Sequence, residues 1–172
     1  MNRNGRVVSL IIVLVAALLI AALPVAARPV RTYFTGMEFT CGAENGVEWY
    51  TRDGTKQHVR GQILHDVSVS DDPRVAGTSV HDANFNMDLL SGKGTVWGKA
   101  IVETEVGSWR LNYAGRFTDF VNYSGGGVGH GLGDLQGHLL FLEAQTAPVP
   151  EYNPCPGAFL GAYAISGYIQ EP

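Results

Sequence analysis

Cysteine is scarce: Cys41 and Cys155 are the only two among 172 residues. Two distant thiols cannot supply the four ligands of a structural zinc site. In an exported chain they suggest instead one disulfide between the first and last strand regions. Both stand beside turn residues, in Cys41-Gly42 and Pro154-Cys155-Pro156. A bridge closing so long a loop would stabilise by roughly 4–5 kcal/mol in the chain-entropy picture. Helical periodicity is lacking as well. After the N-terminal stretch no 3.6-residue pattern persists over the length of an ordinary helix. Catalytic signatures are missing: there is no G-x-S-x-G elbow, no P-loop and no H-E-x-x-H pair. Bridged cysteines leave no Cys–His nucleophile. No basic run follows residue 28, which disfavours nucleic acid and anionic membranes as partners.

The one long apolar run lies at the start. Met1 to Arg6 carries Arg3 and Arg6 and no acid, Val7 to Leu23 is apolar except for Ser9, and small residues follow in Pro24-Val25-Ala26-Ala27. This is the layout of a secretory signal peptide over residues 1–27, with cleavage expected after Ala27. The apolar run, about 17 residues long, sits near the lower limit for crossing a bilayer. Cleavage would leave no stable membrane anchor. Residues 28–172 then form one domain. They carry 10 basic and 16 acidic residues, a net charge of −6. The expected location is extracytoplasmic, secreted or in the cell envelope.

The clearest pattern runs from Gly94 to Ala144. Trp109, Leu111, Tyr113, Gly115 and Phe117 alternate with Arg110, Asn112, Ala114, Arg116 and Thr118. That is a strand with one buried and one wet face. Val96, Ala100, Val102 and Val106 alternate with charged residues just before it, and Gly107-Ser108 joins the two segments as a hairpin. Other strands are expected over Arg31 to Cys41, Gln57 to Ser70, Gly77 to Leu89, Asp134 to Ala144 and Phe159 to Ile169. Val47 to Arg52 reads as a short strand or a lid. Along Gln57 to Ser70 the residues Val59, Gly61, Ile63, Val67 and Val69 share one parity, with His65 interrupting that face and Asp66 on the other. Tyr123 to Gly133 holds too much glycine for a regular strand interior and reads as a loop or a bent strand entry. Seven or eight strands between short turns give an all-β fold, a single antiparallel seven- or eight-stranded β-barrel, with a β-sandwich as the alternative. Long strands with interior glycines favour the closed form.

The G-x-G-x-L-x-G element entering a late strand (Gly131, Gly133, Leu135, Gly137), together with the leader and the small all-β domain, resembles the allene oxide cyclase and dirigent-like barrels. That resemblance implies a barrel cavity holding an apolar or phenolic ligand. It carries no functional residue onto this chain.

Candidate chemistry is sparse. His130, Asp134 and His138 have donor types suited to a divalent ion. On a straight strand they would span roughly 25 Å, so a surface role is expected instead. Glu103 and Glu105, Asp71-Asp72, Asp82 and Asp88 read as outer-face or turn residues. Trp97 stands off its strand's valine face and is placed outside. His65, on an otherwise apolar face, together with Trp109, Tyr113 and Phe117, forms the expected ligand-contacting set. The same aromatics can equally fill a small barrel's core. Asn122-Tyr123-Ser124 matches an N-glycosylation sequon. No metal and no cofactor is expected. The reading that emerges is a secreted, non-catalytic barrel binding a small apolar or aromatic ligand, or a surface. The alternatives are an isomerase- or cyclase-like enzyme using the cavity and a structural envelope domain.

Overall fold

The computed structural model describes residues 29–155 and 159–172. The expected leader and its cleavage point lie outside the described residues. Nine strands follow in order: β1 (Arg31–Glu44), β2 (Val47–Tyr50), β3 (Lys56–Ser70), β4 (Gly77–Asp88), β5 (Gly94–Thr104), β6 (Ser108–Phe117), β7 (Tyr123–Leu132), β8 (Leu139–Thr146) and β9 (Gly161–Gln170). All pairings are antiparallel. Neighbours run β1-β9-β8-β7-β6-β5-β4-β3, and β1 also pairs with β3, so eight strands close into a barrel. β2 continues along the edge of β3 as an added ninth strand. Closure leaves the eight barrel strands without free edges, as expected for a small all-β domain.

The hairpin β5–β6 forms as its alternation requires. Trp109 and Leu111 are buried, Tyr113 and Phe117 are half-buried inside, and Arg110, Asn112 and Arg116 are exposed. β7 corrects an expectation: it is a regular strand, paired with β6 from Ser108↔Leu132 to Phe117↔Tyr123. After Tyr123 its inward positions, Gly125, Gly127, Gly129 and Gly131, are glycine because neighbouring side chains fill the space. A Cβ at Gly127 would lie 3.1 Å from both Leu111 and Tyr113, and one at Gly129 only 3.2 Å from Leu140. The strand expected from Asp134 begins later, at Leu139, and Leu135 sits in a 3-10 turn over Gly133–Leu135. Trp97 is on the outer surface, as expected, with the Arg60 guanidinium 4.7 Å from its ring centre.

Two register shifts matter most. In β3, Val59 opposes Phe85 and Gln62 opposes Ala83, so Arg60 and Gly61 together face Asn84. This is a β-bulge, and Gly61 supplies its left-handed residue with φ +66°. The extra residue reverses the strand's parity. Val59 faces inward before it; Leu64, Asp66 and Ser68 face inward after it. The expected single apolar face through Val59, Ile63, Val67 and Val69 is therefore split, and His65 turns outward. In β1 the unpaired residue is Cys41, between Thr40↔Asp66 and Gly42↔His65. Freed from the ladder, Cys41 is disulfide-bonded to Cys155, with Cα atoms 5.1 Å apart across 114 residues of sequence. The bridge pins residues 147–155 beside the barrel, and Phe159 packs on the outward-facing Phe39.

The two ends of the barrel differ. The loops 71–76, 105–107 and 133–138 gather at one end with both described termini. There Phe34, Val75, Val102, Trp109, Leu135, Leu140 and Ile169 form a filled apolar core. Trp109 Nε1 donates to the Arg74 carbonyl at 2.6 Å and Ser68 Oγ to that of Val75 at 2.7 Å, so the 71–76 loop closes this end as a plug. Arg74 bridges Asp72 at 2.7 Å and Glu171 at 3.0 Å. The opposite end, ringed by 51–55, 89–93 and 118–122, is open.

Candidate functional site

Above the filled core the barrel contains a cavity of about 80 Å³. Its apolar wall comes from Val96, Leu111, Phe117 and Leu142; its polar wall from Glu38, Asp66, His81, Tyr113 and Tyr163. Phe85 and Phe117 also line a wider mouth of about 250 Å³ with Gln57, Val59 and Met87. Rings pack along one side, Phe117 tilted against Tyr123 at 5.4 Å and Tyr123 T-shaped to Tyr163 at 5.5 Å.

Three neighbouring strands supply the two acids and the imidazole of the polar wall. Asp66 lies opposite Thr40 on β1 and Ser79 on β4. One step along each strand, Glu38 and His81 project the same way. His81 Nε2 is 3.2 Å from Asp66 Oδ2 and 3.6 Å from Glu38 Oε1. The same nitrogen is 3.0 Å from Ser79 Oγ. Two carboxylates therefore face one imidazole. Asp66 is only 5 % exposed, yet its Oδ1 has no hydrogen-bond partner, and neither does the Tyr113 hydroxyl.

The electrostatics follow from this crowding. Burial, and next the nearby Glu38 charge, push the Asp66 carboxyl up to about 7, against the opposing pull of His81. Burial alone would lower the His81 imidazole, but the Glu38 carboxylate and then Asp66 outweigh it and raise its pKa. Burial raises the three phenols, Tyr123 to about 12. A carboxyl pushed up to about 7 beside an imidazole raised above its usual value can act as acid, base or ligand.

The residues expected from the sequence are scattered relative to this site. Tyr113 and Phe117 line the cavity. Trp109 is fully buried in the core below it. His65 is on the outer surface, with Nε2 2.9 Å from Glu44 Oε1. His130 and Asp134 are exposed, and His138 Nδ1 is 3.1 Å from the Leu135 carbonyl oxygen. Their donors do not converge, whereas those of Glu38, Asp66 and His81 all lie within 4.8 Å of one another. Sequence reasoning missed this group. The available signal was Gly61, an interior strand glycine followed at once by two breaks of pattern, Leu64 and His65.

No protein family matches the chain, nor does any curated protein or solved structure. The fold by itself assigns no function; the cavity is the feature that bears on it.

Proposed function

We propose that the protein is a secreted, non-catalytic barrel that binds a small ligand in its cavity, an apolar or aromatic body with one polar end. The observation carrying this reading is the two unpartnered polar atoms, Asp66 Oδ1 and the Tyr113 hydroxyl, on the polar wall of a chamber whose other wall is apolar. A buried polar atom without a partner costs about 1–3 kcal/mol. A hydroxyl or phenol that donates to Asp66 and accepts from Tyr113 would recover that cost. Val96, Leu111, Leu142 and Phe117 suit the apolar part. The disulfide is consistent with an extracytoplasmic location, and secretion follows from the leader-like composition of residues 1–27.

Phenol and benzyl alcohol are suitable probes. Titration followed by backbone amide shifts should move Asp66, Tyr113 and Leu142, and the Asp66→Asn and Tyr113→Phe variants should each bind about tenfold more weakly. Shifts confined to the outer surface, or binding indifferent to both variants, would sink the reading.

A further inference from the structure

We infer that Glu38, Asp66 and His81 form a divalent-cation site opening on the cavity, with zinc the ion that fits their donor set. The inference deepens the cavity reading at the same site but does not require an organic ligand.

The geometry comes first. Two donors bound about 2.0–2.2 Å from one ion stand roughly 3–3.6 Å apart at tetrahedral or octahedral angles. The Nε2–Oδ2 and Nε2–Oε1 distances are 3.2 and 3.6 Å. All three side chains rise from paired strands, so their backbone positions are already fixed. Charge points the same way. One buried and one half-buried carboxylate share one imidazole, and a dication would neutralise the excess. The second observation is independent of the spacing. Asp66 Oδ1, on a side chain 4 % exposed, has no partner, and the Tyr113 hydroxyl has none either. A water on the ion's fourth position would donate to that oxygen and accept from Tyr113. Three protein ligands, one nitrogen and two oxygens, with a position left open suit zinc. Calcium takes six to eight oxygens and magnesium keeps most of its water.

The test uses the full chain stripped with chelator and titrated with Zn²⁺ by calorimetry, then with Co²⁺ by absorbance. One saturable equivalent is expected, with visible Co²⁺ bands of a four- or five-coordinate ion. Asp66→Asn and His81→Gln should each weaken Zn²⁺ by about a hundredfold or more, since each removes a direct ligand. His65→Gln, on the outer surface, should change nothing. Melting curves establish that each variant is folded, and if His81→Gln is not, Glu38→Gln and Asp66→Asn decide. No saturable binding below millimolar Zn²⁺ would overturn the inference. So would binding that survives the cavity variants but is lost with the surface histidine. Phenol binding, measured on the stripped protein, is scored separately. Its loss with Zn²⁺ retained defeats only the organic-ligand reading; the reverse defeats only this one.

Discussion

The barrel buries carboxylates in two places and treats them oppositely. At the plugged end, Arg74 clasps Asp72 through two nitrogens, Nε and Nη2, and reaches the more exposed Glu171 with the third. The Arg74 guanidinium holds the Asp72 carboxyl below its usual range. In the cavity, Glu38 and Asp66 share one imidazole, and an Asp66 oxygen remains unpaired. Both arrangements sit beside the same apolar core. The matched cluster fastens a loop; the unmatched one holds unspent capacity for a ligand. Buried charge is therefore informative mainly through its balance.

The largest test sets the two layers against each other. Trp109→Ala removes the fully buried ring of the filled layer and leaves the Arg74 carbonyl without its donor, and should cost about 3–5 kcal/mol in urea unfolding. Tyr113→Phe, which deletes only an unpartnered hydroxyl, should stay within about 1 kcal/mol of the parent. Equal losses would erase the distinction between a packed end and an open one.

A smaller effect is expected at the plug. Arg74→Ala leaves Asp72 buried without its cation and should cost about 2–3 kcal/mol, reduced from the fully buried case because the guanidinium is partly exposed. The pH dependence has a definite sign. Asp72 is depressed in the folded state, so its contribution is complete above the ordinary carboxylate range and lost as pH falls through its folded pKa. Acid unfolding of Arg74→Ala should be correspondingly shallower. An unchanged acid limb would show that the pair is a bystander.

The smallest expected change has the opposite sign. Asp66→Asn in chelator-treated protein, measured above about pH 7 where Asp66 is ionised, removes one of two carboxylates that share a single imidazole and should stabilise by about 1–2 kcal/mol. A clear loss of stability would mean that the cavity cluster is as well matched as the plug.

Much of the fold was legible in the sequence because it depends on alternation. β6 has no bulge, so its two faces could be read residue by residue from Trp109 to Phe117. The disulfide was legible too, since closing a barrel brings the first and last strands together. β7 was misread because the filling of its glycine positions comes from Leu111, Tyr113 and Leu140 on other strands. The site was hidden for a related reason. Past Gly61 a single inserted residue exchanges inside for outside, which places Asp66 within and His65 without. Glu38, Asp66 and His81 also come from three strands, and no local spacing records their convergence.

The Cys41–Cys155 bond has a mechanical consequence. Both described ends of the chain leave the barrel on the plugged side, on β1 and β9. Pulled apart by residues 29 and 172, these strands would unzip from Arg31–Gln170 toward Thr40–Gly161, β1 leaving β3 from Gly36–Ser70 to Thr40–Asp66 and β9 leaving β8 on the way. The load would then meet the covalent bond and pass no further. Residues 42–154, which include two of the three cavity donors, would carry no tension. Extension would stop after about thirty residues, on the order of 100 Å. With the bond reduced, the same pull would run on past Cys41 into the remaining β1–β3 pairs, from Gly42↔His65 to Glu44↔Ile63.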